Sequence, residues 1–104
     1  MTDDRFNTLN KRMLDLKIEK IGKTTTVAVL ILIFQAGSVR HRDIAKHVPS
    51  RGALSSALNS LLEEKLVTRQ VNTESMPAQT YYTITEKGRE VARRFDEIID
   101  ILKG

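Results

Sequence analysis

Four polar side chains recur at helical spacing in the run SRGALSSALNSLLEEKL, residues 50–66: Arg51, Ser55, Ser56 and Asn59. A helix gathers them on one side and sets Leu54, Leu58, Leu61 and Leu62 on the other as a buried stripe. Their chemistry is that of hydrogen-bond exchange with flat polar edges. A guanidinium can pair with guanine in two bonds, a carboxamide with adenine, and short hydroxyls suit either while keeping the helix close to its partner. Pro49 and Ser50 mark the start of this helix, since proline ends what precedes and a serine hydroxyl can accept an orphan N–H of the first turn. Glu63, Glu64 and Lys65 are kept to its C-terminal end, so the N-terminal half could enter a groove of DNA. The plainer reading is an ordinary amphipathic helix with a serine-rich outer face.

The stretch just before carries charge. Arg40, Arg42, Lys46 and Arg51 stand against one acid, Asp43, which is three of the net +4 charges of the chain. Cations gathered in this way gain most when they all face one phosphate strand and release its counterions; the alternative is a solvated helix face. His41 and His47 are six apart, on different faces of a helix, and no cysteine or neat carboxylate completes a metal site, so no metal is expected. Tyr81 and Tyr82 alternate, one toward the core and one outward. Catalysis finds no support: there is no glycine-rich phosphate loop, HExxH or GxSxG, and no cofactor is expected. The chain reads as a non-enzyme.

These residues need a scaffold, and 104 residues at 40% hydrophobic and 29% charged content provide one soluble domain spanning 1–104. The absence of cysteine fits a reducing cytoplasm. The acidic, polar start MTDDRFNTLN is no signal peptide, and the longest apolar run, residues 27–34, is too short to span a membrane. A pI near 9.6 admits an anionic partner.

Residues 1–22 form an outer amphipathic helix with a heptad-like seam of Phe6, Leu9, Met13 and Leu16, begun at Thr2, Asp3 and Asp4 and ended by Gly22. Residues 24–36 form an apolar helix capped by Thr24 or Thr25, ended by Gly37 and sandwiched on both sides. Ser38 and Val39 suit a very short strand. Residues 40–48 form a short helix with Ile44, Ala45 and Val48 inward and Arg42, Lys46 and both histidines outward. Residues 66–71 and 80–84 read as two strands around a polar loop, 72–79. Thr85 caps a last helix from 86 to about 103, with a second seam of Val91, Phe95, Ile98 and Leu102. Two such seams at the two ends suggest a shared helical interface in a homodimer; the alternative is that both pack on their own core.

Helix, turn, helix and two-stranded wing in this order carry a resemblance. RGALSSALNSLLEEKLVTR followed by QTYYTITEKGRE is similar to winged helix-turn-helix transcriptional regulators, nearest the PadR type with kinship to MarR and small archaeal regulators. It covers roughly residues 24–88, with Gly52 and Leu54 early in the recognition helix and the pattern Tyr81-Tyr82-x-Ile84-Thr85-x-Lys87-Gly88 closing the wing. The implied fold is mainly α with a small β-hairpin wing (α+β): outer helix 1–22, winged helix-turn-helix 24–84, and a C-terminal dimerisation helix 85–104. The implied function is sequence-specific binding of double-stranded DNA at a pseudo-palindromic operator by a homodimer, a repressor by occlusion, located in the cytoplasm on the nucleoid. The resemblance places Arg51, Ser55, Ser56 and Asn59 toward bases, Arg40, Arg42 and Lys46 on phosphate, and Arg69, Gln79 and Tyr81 on the wing strands, with Ser50 at the start of the recognition helix also counted among the DNA-binding residues. The wing tip departs from the pattern: residues 72–77, NTESMP, hold an acid and no cation for the minor groove. The rival functions are a sequence-neutral architectural DNA binder and a winged helix turned to protein interaction.

Overall fold

Residues 24–36 are β-branched enough for a strand, yet they exceed strand length, and they fold as α1 (Thr24–Ala36). A computed structural model describes residues 21–104. After α1 come β1 (Ser38–Arg40), α2 (His41–Ala45), α3 (Arg51–Glu63), β2 (Val67–Asn72), β3 (Gln79–Ile84) and α4 (Glu86–Lys103). The expected helix before Gly22, with Phe6, Leu9, Met13 and Leu16, lies outside the described residues except for its last position, Ile21, which is helical and buried.

The strands form one antiparallel sheet in the order β1-β3-β2, with Arg40 opposite Tyr81 and Arg69 opposite Tyr82. β2 and β3 make the wing, and the whole is an α+β winged helix. At its tip the Asn72 carboxamide oxygen accepts the Glu74 N–H at 3.0 Å, a side chain standing in for a backbone turn.

The core fills the space between these layers. Val29, Leu30 and Ile33 of α1 meet Leu54, Leu58 and Leu61 of α3, with Ile44 of α2, Leu66 and Val67 at the wing root, Tyr82 and Ile84 of β3, and Ala92 of α4. Burying each large aliphatic side chain contributes about 1.5–3 kcal/mol. α1 packs on both α3 and α4, but its apolar character is not matched by burial all round: Ile31, Leu32 and Phe34 are half-buried and Ala28 is exposed. Its cap also differs from expectation. The N-cap is Lys23, and no side chain, threonine or other, caps this end. Gly37 does end it, at φ 78°, donating its N–H to the Ile33 carbonyl at 2.8 Å.

Around α2 the structure corrects three details. Arg40 belongs to β1 rather than to the helix, Ala45 is exposed, and His41 turns inward far enough to set its ring against Tyr82, centroids 5.9 Å apart. Against the expected bounds β2 is shifted by one position toward the C-terminus, β1 gains Arg40 at its end and β3 gains Gln79 at its start.

α3 ends without the glycine that usually takes the left-handed position. Lys65 adopts φ 60°, its N–H reaching the Leu62 carbonyl (3.0 Å) while the Leu66 N–H reaches Leu61 (2.9 Å). This paired C-terminal closure turns the chain into β2. The same corner seats α4. The Thr85 hydroxyl accepts the Gly88 N–H at 2.9 Å as the expected cap, and donates toward the Lys65 carbonyl at 2.7 Å. The Thr85 N–H reaches the Leu66 carbonyl at 3.0 Å, and the Lys87 ammonium reaches the Glu64 carbonyl at 2.9 Å. A side chain at buried Gly88 would collide with the Leu66 carbonyl and the Ile84 side chain.

Two substitutions at this corner should move stability in opposite directions. Thr85→Ala removes a cap and a cross-link and should cost about 1–2 kcal/mol in urea unfolding, most of it restored by Thr85→Ser. Lys65→Gly relieves the left-handed conformation and should gain up to about 1 kcal/mol. A loss of stability in Lys65→Gly would contradict this account of the helix end.

Candidate nucleic-acid interface

α3 has two unlike sides. Ser50 caps it, its hydroxyl oxygen accepting the Ala53 N–H at 3.1 Å. Leu54, Ala57, Leu58 and Leu61 are buried beneath, and burial of Ser60 as well makes the inner face wider than the leucine spacing alone implied. Arg51, Ser55, Ser56 and Asn59 are exposed together on the outer side. Among the described residues no hydrogen bond or ion pair engages their side chains, so their donors and acceptors are presented to solvent. The hydroxyl of Ser50 can still donate while its oxygen caps the helix.

The basic cluster divides between two elements. Arg42, on α2, is exposed. Lys46, just after α2, lies 3.4 Å from Asp43 in an exposed pair; such a pair holds at most about 1 kcal/mol and yields readily to another anion. Arg40 is half-buried at the end of β1.

His41 stands between two open grooves. One, about 450 Å³, runs between Arg40, His41 and Arg42 on one wall and residues 77–80 of the wing on the other. The second, about 520 Å³, runs from His41, Ala45 and Val48 across to Arg51, Leu54 and Ser55. The polar side of α3, the start of α2 and the loop end of the wing therefore form one continuous surface. The sequence carries no signal for the place of His41 at this junction, because it depends on the packing of α2 on β3.

Pairing parity separates the wing residues. Arg40, Tyr81, Gln70, Asn72 and Gln79 share one face of the sheet through the pairs Arg40–Tyr81, Gln70–Tyr81 and Asn72–Gln79. Tyr81 donates its hydroxyl to the Gln79 side-chain oxygen at 2.9 Å. Arg69 lies opposite Tyr82, on the other face, and is exposed. So Gln79 and Tyr81 are brought to Arg40, whereas Arg69 is not. Tyr82, 5% exposed, is the inward tyrosine of the pair and Tyr81 the half-buried one.

The seam on α4 divides along its length. Val91 and Phe95 pack against the core, while Ile98, Ile101 and Leu102 are 50%, 76% and 80% exposed. The outer side carries exposed pairs, Arg93–Glu90 at 2.8 Å and Arg94–Glu97 at 3.4 Å, of the kind that support a helix by a few tenths of a kcal/mol. None of the described helices is long and apolar enough to cross a membrane.

The fold is shared with solved structures. A protein from Porphyromonas gingivalis W83, described as a transcriptional regulator of the MarR family, superposes with TM-score 0.70 at 18% identity over 96% of this chain and 92% of that one. The transcriptional regulator homologue of Pyrococcus horikoshii OT3 gives 0.69 at 24% identity, over 84% and 91%. MepR of S. aureus, solved as a complex with DNA, gives 0.65 at 21% identity, over 95% and 82%. At these identities the likeness is one of fold. Comparison with curated protein sequences finds no match. In keeping with the resemblance to winged helix-turn-helix transcriptional regulators, the HxlR-like helix-turn-helix family matches residues 20–103, and the chain belongs to it.

Proposed function

We propose that the protein is a sequence-specific double-stranded DNA-binding transcriptional regulator that acts as a homodimer and represses by occluding a pseudo-palindromic operator, in the cytoplasm on the nucleoid. The observation that carries this reading is the outer side of α3, where Arg51, Ser55, Ser56 and Asn59 are exposed and unengaged while the leucines beneath are buried. A helix polar on one side and short in its side chains can lie in a major groove with its donors facing base edges. Family membership supports the reading, as does the shared fold of MepR, a protein solved on DNA.

In this arrangement Arg40, Arg42 and Lys46 grip phosphate, together with the Ser50 hydroxyl. Gln79 and Tyr81 flank the backbone from the wing face they share with Arg40. Arg69 reaches a phosphate from the opposite face. The wing tip holds Glu74 and no cation, which disfavours deep entry into the minor groove. The dimer forms through the exposed end of α4, Ile98 and Leu102, with Val91 and Phe95 continuing the seam into the core, and through Phe6, Leu9, Met13 and Leu16 of the outer segment.

Replacing Arg40, Arg42 and Arg51 together by alanine should lower affinity for a selected duplex by roughly 100-fold at physiological salt and flatten the log–log salt slope by about 2–3. Asn59→Ala should instead relax preference at one base position, by about 1–3 kcal/mol, with the slope unchanged. Binding by the triple variant equal to that of the parent would refute the phosphate contacts. Equal affinity of the parent for selected and random duplexes would replace specific regulation with architectural binding.

Phe95 is too close to the core for a clean test of assembly. Ile98→Glu with Leu102→Glu should leave helicity intact and give monomer mass in sedimentation equilibrium. A stable dimer in that double variant would place the interface elsewhere.

A further inference from the structure

We infer that Gly52 is the point on α3 where the DNA major groove comes closest to the protein backbone, so that its lack of a side chain is a requirement of the ligand and not of the fold. The inference deepens the DNA-binding reading and rests on it. Glycine disfavours a helix because it has the most freedom to lose, so a helical glycine calls for a reason. Gly37 and Gly104 have one in their left-handed backbone, at φ 78° and 79°, and Gly88 has one in the Leu66 carbonyl packed against it. Gly52 has neither. Its φ is not positive, it is exposed, and a methyl group built there would meet only the Ser50 hydroxyl oxygen at 4.0 Å, an ordinary contact.

Nothing within the described chain would object to alanine, and the helix would gain from it. The position explains what would object. Gly52 lies beside Arg51 and one turn before Ser55 and Ser56, on the side of α3 where the side chains of Arg51, Ser55, Ser56 and Asn59 have no partner among the described residues. With no Cβ, a groove wall can approach the first turn of the helix by about the thickness of a methyl group. That brings the short Ser55 and Ser56 hydroxyls within reach of base edges they would otherwise miss. A local cost in stability with no internal compensation is the pattern expected at a functional contact.

The test uses the full chain and two duplexes of about three helical turns, one enriched from a random pool by the parent protein and one of random sequence. Gly52→Ala should raise the Tm by up to about 4 °C and lower affinity for the enriched duplex by roughly tenfold. The salt slope should stay unchanged, because no phosphate contact is removed. Gly52→Leu should lower affinity further at equal helicity. The Arg40, Arg42 and Arg51 triple alanine variant serves as the control for DNA binding itself. If that variant loses affinity and flattens the slope while Gly52→Ala binds like the parent, this inference is wrong and the DNA reading survives. A lower Tm in Gly52→Ala would also overturn it, by giving the glycine a structural role. A parent that retains neither duplex would overturn both readings.

Discussion

The carbonyl of Leu66 holds three parts of the molecule in one relation. It lies where α3 has just turned through Lys65, where β2 is about to begin, and where α4 docks through Gly88. It accepts the Thr85 N–H at 3.0 Å, and the Thr85 hydroxyl lies at the same distance. A buried carbonyl left without a donor would cost about 1–3 kcal/mol, so the junction has little freedom to open. Its rigidity sets the angle of α3 against the wing and against α4. The polar side of α3 can therefore be presented in a fixed orientation with respect to the exposed end of α4. The motif Thr85-x-Lys87-Gly88, first met as a family resemblance, thus has a physical basis: a cap that also cross-links, a lysine that reaches the end of α3, and a glycine that permits contact.

What could be read in the residues followed from periodicity and from capping chemistry. The leucine spacing of α3, the Ser50 and Thr85 caps, the Gly37 stop and the alternation of Tyr81 with Tyr82 each depend on a few adjacent residues, and each is present in the fold. The features that escaped depend on contacts distant in sequence. Helical neighbours predict a helix at Arg40, but pairing with Tyr81 across the sheet draws it into β1. Polarity predicts an outward His41, but Tyr82 offers its ring a surface. The separation of Arg69 from Gln79 and Tyr81 required the strand register, which a loop of unknown geometry hides. The Lys65 turn was invisible because lysine is not the residue that position favours.

The surface around α3 is economical in charge. Lys46 is shared with Asp43, and the wing tip contributes an acid, so among the described residues the cations of this surface without a carboxylate partner are Arg40, Arg42 and Arg51, with Arg69 on the other face of the wing. Nonspecific affinity for DNA is set mainly by such contacts and is screened steeply by salt. A domain with so few would hold arbitrary DNA weakly. In the proposed function, discrimination would then depend on uncharged groups, the Ser55 and Ser56 hydroxyls and the Asn59 amide, whose hydrogen bonds count only at the right base edges.

Under the proposed function, that same economy gives a second subunit an energetic purpose. A single domain with three or four phosphate contacts is confined to the weak end of protein–DNA affinity, about 10⁻⁴–10⁻⁶ M at physiological salt. Joining two copies through a stiff helix makes the second contact intramolecular, at an effective concentration on the order of millimolar. Affinity then rises steeply only where two half-sites stand at the right separation. The gain requires that the link between α3 and the joining helix not flex, because flexing would spread the second α3 over many positions and dilute it. The Thr85–Leu66–Gly88 junction is a link of that kind. With the exposed end of α4 beyond it, a small, sparsely charged reading head can become selective without a larger basic surface.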